Sequence, residues 1–264
     1  MKILCISDIH LRREMFSNKL QKIYNPDLTI FLGDYFDNWP ETHKQTEKTA
    51  IELAWSLQQP NRIHLIGNHD AFYASGGKYA FECSGFTHQK LEIINDYISQ
   101  KMWQEQFKLV HIIDNIIFSH AGLSEAIWFC PFVKDIKKYI YDKEELAMKS
   151  LLTGEEVPQL YASYLRGDYR RKLGHAGCTW MDWKEFSLVE DYIQIVGHSK
   201  GTDVKLNMKN KNTFNFCLDT KNNHVLTIDT DKKEFLVHDN HEYLKNPRNK
   251  SLKDCVTGRN IFSL

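Results

Sequence analysis

The chain has 264 residues, with 34 Lys+Arg balanced by 34 Asp+Glu and 42% hydrophobic residues, so it is long enough for one large core and carries no formal net charge. That balance excludes a protein whose main business is coating nucleic acid by bulk charge. No apolar run approaches the roughly 20 residues of a membrane span, the N-terminal run Met1–Ile6 is too short for a signal-peptide core, and six scattered cysteines without a Cys-x-x-Cys pair read as reduced thiols, so a cytoplasmic protein is expected.

Lys2–Ile6, Leu28–Leu32 and Arg62–Ile66 are short apolar runs rich in branched residues. Each ends in a polar turn: Ser7-Asp8-Ile9-His10, Gly33-Asp34-Tyr35-Phe36-Asp37 and Gly67-Asn68-His69-Asp70. Helix-like stretches at about 14–24 and 43–58 separate them. This alternation predicts a βαβαβ unit with a parallel sheet. Ligand chemistry in such sheets gathers beyond the carboxyl ends of the strands, where all three turns sit.

Thr87–Phe107 reads as a helix with Leu91, Ile94, Tyr97, Ile98 and Met102 on one face. Lys108–Ile113 and Ile116–Ser119 read as strands joined by a tight hairpin at Asp114-Asn115. Residues 134–165 read as helical, with capping-box starts at Asp142-x-x-Glu145 and Thr153-x-x-Glu156, inside a helical insert of about 124–175. Residues 166–187 are loop-like. Five strands follow, at Tyr192–Val196, Asp203–Met208, Thr213–Leu218, His224–Asp229 and Glu234–His238, with the Lys/Asn-rich 205–212 expected as an exposed hairpin turn. A polar tail at about 240–264 is weakly patterned. With no repeat and no linker, the expectation is a single domain over 1–264 with two sheets.

Five motifs put metal-ligand side chains at strand ends: Asp8-x-His10, Gly33-Asp34-x-x-Asp37, Gly67-Asn68-His69-Asp70, His120-Ala121-Gly122 and Gly197-His198. Asp and His bind divalent metals of intermediate hardness, and Asn offers a neutral carbonyl oxygen. Glycine lets the backbone turn sharply, so that the next side chain projects into a cleft. Two metals about 3.5–4 Å apart can clamp a phosphate and activate a water.

This constellation resembles the calcineurin-like metallophosphoesterases, over roughly residues 1–230. Within them it is most similar to the phosphoprotein phosphatase group of small bacterial and phage Ser/Thr phosphatases and symmetrical diadenosine-tetraphosphate hydrolases. Gly33-Asp34-Tyr35-Phe36-Asp37, the stretch Thr179-Trp180-Met181-Asp182-Trp183 before Val196-Gly197-His198, and Cys217-Leu218-Asp219-Thr220 carry that similarity. The branch with Gly-His-x-His would need His at position 200, where Lys200 stands. The resemblance implies an α/β fold, a four-layer α/β/β/α sandwich with two mixed sheets. It implies a phosphoester hydrolase whose metal-bridging hydroxide attacks phosphorus.

It further implies that Asp8, His10 and Asp34 hold one metal, and that Asp34 bridges to a second held by Asn68, His120 and His198. The metals would be two divalent ions, Mn²⁺ first, with Fe, Zn or Mg as alternatives. His69 would be the general acid and Asp37 the carboxylate that orients it. Asn38 stands where the family has a phosphate-gripping Arg. The second family arginine falls in Tyr164–Arg171, where Arg166 is the first candidate and Arg170 the second. The expected substrate is a phosphorylated protein. A dinucleoside polyphosphate or a nucleotide or nucleic-acid end is the alternative, and a metal-retaining binding module with weak catalysis is a third. No membrane partner is expected.

Overall fold

The computed structural model describes residues 1–78, 83–123, 134–153, 177–240 and 258–263. The first half runs β1 (Lys2–Ile6), α1 (Asn18–Tyr24), β2 (Leu28–Phe31), α2 (His43–Leu57), β3 (Arg62–Leu65) and α3 (Asn68–Ala74). Then come α4 (His88–Asn95), α5 (Gln100–Gln106), β4 (Phe107–Lys108), β5 (Val110–Ile113), β6 (Ile116–Ser119) and α6 (Ile136–Thr153). The remainder is β7 (Ile193–Val196), β8 (Lys205–Asn210), β9 (Thr213–Cys217), β10 (His224–Asp229), β11 (Glu234–Asp239) and β12 (Gly258–Asn260). Two mixed sheets result, one of seven strands in the order β12-β11-β10-β1-β2-β3-β4 and one of five in the order β5-β6-β7-β9-β8.

The expected βαβαβ unit is present, with β1, β2 and β3 pairing in parallel. Strand periodicity decides which core each residue joins. Ile3, Cys5, Ile30 and Leu32 point between the sheets, where they meet Phe118, Ile193, Ile195, Phe214 and Phe216 from the other sheet. Leu4, Ile6 and Phe31 point the other way, into a cluster with Leu20, Ala50 and Leu53. Both faces of β1 are therefore buried, which is why it reads as a continuous apolar run. α6 brings Ile140, Ala147 and Leu151 to the cluster that holds Ile112 and Ile117 of the five-stranded sheet. The architecture is the α/β/β/α sandwich.

Several expectations need correction. Thr87–Phe107 is two helices, because Thr87 and Ser99 each act as an N-cap, accepting from the N–H of Lys90 and Met102. Lys108–Ile113 is not one strand: β4 pairs with β3 in the larger sheet, β5 pairs with β6 in the smaller, and the chain crosses at Leu109. Buried Glu144 holds the crossing, its Oε1 accepting from the N–H of Leu109 at 2.7 Å and of Val110 at 3.0 Å. Asp142 does not start a helix. It lies inside α6 and pairs with Lys138 one turn earlier, while Asp135 receives the Lys138 N–H at the helix start. Thr153 closes the described part of α6 and donates back to the Lys149 carbonyl. Finally, 205–210 is an exposed edge strand, and only Lys211-Asn212 form the turn. The tail also contributes β12, which pairs with β11 and sends Ile261 into the inter-sheet core. Cys5, Cys83, Cys178 and Cys217 are buried.

His64 is a buried core histidine that stacks on Phe31 with ring centroids 4.5 Å apart, and its Nε2 lies 3.1 Å from Ser56 Oγ. Burial, with Arg62 nearby, lowers its pKa to about 3. Above the ordinary histidine value the ring is neutral in both the folded and the unfolded chain. Below it the unfolded chain takes up a proton that the folded chain refuses. Stability is therefore lost as pH falls from about 6.5 toward 3, at up to about 1.4 kcal/mol per unit. The urea-unfolding midpoint is expected to drop between pH 6 and 4, and to drop less steeply in His64→Phe. Equal slopes in the two proteins would show that His64 makes no such contribution.

Candidate dinuclear metal site

Each of the five metal-ligand motifs lies at the carboxyl end of a strand that pairs in parallel, on one rim shared by the two sheets. Asp8 and His10 follow β1, Asp34 and Asp37 follow β2, and Asn68 and His69 open α3 just after β3. His120 follows β6 and His198 follows β7. Asp8 (φ 47°), His10 (φ 40°), Asp34 (φ 56°), Asp37 (φ 62°) and His198 (φ 65°) all have left-handed backbone. Such conformations are strained for non-glycine residues, of order 1 kcal/mol or more each. They turn each side chain back over the strand ends.

Asp8, His10 and Asp34 each offer a ligand atom within 4.8 Å of the others, and so do Asp34, His120 and His198. Asp34 belongs to both groups. Asn68 joins the second, its Oδ1 lying 3.0 Å from His120 Nε2 and 2.9 Å from His198 Nδ1. The Asn68 amide nitrogen is turned to Cys83 Sγ, which leaves the carbonyl oxygen facing the site. His120 Nδ1 lies 2.7 Å from the Leu32 carbonyl, and His10 Nδ1 lies 2.7 Å from the Asp37 carbonyl. A carbonyl only accepts, so each Nδ1 carries a proton, and in the neutral ring that a metal would bind each Nε2 presents a lone pair. Those lone pairs face Asp34 Oδ2, at 3.4 Å for His120 and 3.7 Å for His10. Acceptors converging on acceptors repel one another unless a cation lies between them, and imidazole, carboxylate and amide oxygen suit a divalent transition metal. The donor set fits two such ions.

The charges point the same way. Burial opposes ionisation of Asp34, but His120, His69 and His10 outweigh it and hold its pKa well below the usual carboxylate range. Burial lowers the His120 pKa, yet Asp34 and Asp8 raise it to about 10. The ring thus competes for the positive charge that a metal would bring.

His69 stands beside these groups. Its N–H donates to Asp34 Oδ1 at 2.9 Å, and its Nδ1 lies 3.1 Å from Asp37 Oδ2. Burial disfavours its cation, but Asp34 and Asp37 prevail and raise its pKa. Asp37 is itself held by Tyr73 Oη at 2.6 Å and by the buried Lys90 Nζ at 3.2 Å.

Sequence reasoning passes over several residues that border the site. Asp70 closes the motif in which Asn68 and His69 draw the functional reading. Fully buried, it accepts the N–H of Asp34 at 2.7 Å, of Tyr35 at 2.9 Å and of Gly67 at 2.9 Å. The available signal is an Asp three residues after a glycine at a helix start, placed to reach back to that glycine's N–H. Asp219 and Lys200 line the same cleft of about 440 Å³ as Asp8, Asp34 and His69. Asn38 and the exposed Trp39 also line it, and Asn38 Oδ1 accepts the Trp39 N–H at 2.9 Å. Arg166 and Arg170 lie outside the described residues.

An α/β/β/α sandwich with two metal-ligand groups on its rim defines a class, the dinuclear metallohydrolases. The family model for calcineurin-like phosphoesterases matches residues 1–199, and the chain belongs to that family. Among solved structures it is similar to a cold-active protein tyrosine phosphatase, with TM-score 0.57, 15% identity, and coverage of 89% of this chain and 75% of that one. A mutant of a cold-active protein tyrosine phosphatase gives 0.55, 15%, 89% and 77%. A metallophosphoesterase from Sphaerobacter thermophilus gives 0.43 at 14% identity, with 97% of each chain covered. No curated protein matches.

Gly33 and Gly67 let the β2 and β3 turns touch. A methyl group on Gly67 would collide with Asp34 Oδ1 and the Asp34 backbone nitrogen. Gly67→Ala is therefore expected to bind fewer metal ions per chain than the parent by elemental analysis, with its far-ultraviolet circular dichroism unchanged. Undiminished metal content would show that this close approach does not shape the site.

Proposed function

We propose that the chain is a dinuclear-metal-dependent phosphomonoesterase of the Ser/Thr protein phosphatase type, with Mn²⁺ as its preferred activator and Fe, Zn or Mg as alternatives. The observation that carries this reading is the His69–Asp37 pair standing beside two ligand groups that share Asp34. Asp8, His10 and Asp34 would hold one ion, and Asp34, Asn68, His120 and His198 the other. When bound, the ions supply Lewis-acid charge and an activated water. The protein's own residues do the rest. His69, kept protonated by its carboxylate neighbours, gives its proton to the departing alkoxide oxygen. Asp37 fixes the ring, and Tyr73 and Lys90 fix Asp37. Arg166 or Arg170 would grip the phosphoryl oxygens as a guanidinium fork.

The similarity to a cold-active protein tyrosine phosphatase supports a phosphoprotein substrate. A second reading draws on Trp39, which lines the cleft with 87% of its surface exposed. An exposed ring there suits a flat partner, so a dinucleoside polyphosphate or a nucleotide end is the alternative. A panel of phosphopeptides, an aryl monoester, an aryl diester and diadenosine tetraphosphate, run with Mn²⁺, separates the two.

The proton donor has its own signature. His69→Asn is expected to lower kcat on a phosphoserine peptide by roughly 10²–10⁴ with metal content intact. The loss is expected to shrink on nitrophenyl phosphate, whose leaving group needs little protonation. Equal losses on both substrates would assign His69 another role.

A further inference from the structure

The cleft lacks a described phosphate clamp. Asn38, which follows Asp37, is neutral, and its side-chain oxygen is turned back onto the Trp39 N–H. Four carboxylates, Asp8, Asp34, Asp37 and Asp219, line the cleft, and among the described lining residues Lys200 is the one ammonium or guanidinium. Its side chain is exposed, and its ammonium makes no ion pair with a described residue.

The segment that presents Lys200 is fixed on every side. The His198 N–H donates to Asp8 Oδ1 at 3.0 Å. Ser199 Oγ receives the Trp183 N–H at 2.8 Å, and the Gly201 N–H donates to the Asp219 carbonyl at 2.8 Å. Lys205 Nζ bonds the carbonyls of both Ser199 and Lys200. Gly197 admits no side chain, because a Cβ there would strike Ser7 Oγ and the Asp8 carboxylate. The Lys200 backbone is thus anchored two residues from a candidate metal ligand, while its four-carbon stem stays free to move.

From this we infer that Lys200 is a substrate-binding residue, one that meets a phosphoryl oxygen and tunes the cleft to the dianion of a phosphate monoester over the monoanion of a diester. The inference rests on the reading of the cleft as a phosphate site given above. Two divalent ions offset the carboxylates that line the cleft. A monoester then brings two further negative charges, and a diester brings one. A mobile point charge on a fixed anchor favours the more highly charged ligand.

The probe is inorganic phosphate, titrated by calorimetry into the Mn²⁺-loaded full chain. Lys200→Met is expected to weaken phosphate binding about 10-fold or more, and Lys200→Arg to recover most of the loss. Lys209→Met, at an exposed lysine paired with Glu190 outside the cleft, is expected to bind like the parent, and metal stoichiometry is expected to stay constant throughout. In parallel, Lys200→Met is expected to lower kcat/KM on an aryl monoester more than on an aryl diester. Phosphate binding that is unchanged in Lys200→Met, or equally weakened in Lys209→Met, overturns the inference. Phosphate bound through Lys200 by a protein that hydrolyses no ester would uphold it and sink the functional reading instead.

Discussion

The site depends on one buried carboxylate that faces no substrate. Asp70 gathers the N–H groups of Asp34, Tyr35 and Gly67, and so ties the turn after β2 to the turn after β3. A carboxylate in a dry interior is costly unless its oxygens are met, and three backbone donors meet them. Burial and the neighbouring Asp34 still push its pKa up to about 7. With the turns tied, Asp34 is held in its left-handed conformation and His69 N–H reaches Asp34 Oδ1. Both candidate metal positions inherit their geometry from that knot.

Around it the side chains sort by what their far atoms do. His10 and His120 spend one nitrogen on backbone carbonyls and turn the other inward. Asn68 spends its amide nitrogen on Cys83 and turns its oxygen inward. Asp37 does the opposite, with Tyr73 and Lys90 on one oxygen and His69 on the other. The proposed ligand and proton-donor roles are thus separated by the partners behind each residue more than by residue type.

Much of this was legible in the sequence. Strands buried on both faces leave short apolar runs, and the turns that end them leave Gly-Asp and Gly-His signatures, so the βαβαβ unit and the ligand motifs stood out. The crossing at Leu109 did not, because nothing local separates Lys108 from Val110. Only pairing with different sheets divides them. Ser99 was hidden inside an apolar periodicity that continues past its cap. Asp142 and Glu145 carry capping-box spacing, yet the apolar face of α6 extends upstream and overrides it. Asp70 and Lys200 share a further reason. Their roles lie in what they face across the fold, and a position two residues after His198 acquires meaning only when Asp8, Asp219 and His69 surround the same space.

The candidate ligands are divided between the two sheets. Asp8, His10, Asp34 and Asn68 follow strands of the larger one, and His120 and His198 follow strands of the smaller. Between the sheets lies a layer built from Leu32, Phe118, Phe214, Phe216 and their neighbours. That oily layer is the gauge block of the site. Interiors packed as densely as organic crystals yield little, so the gap across which Asp34 and His120 meet is machined by hydrocarbon side chains that never touch a phosphate. The fineness of the chemistry is set by how well aromatic rings fill a slab.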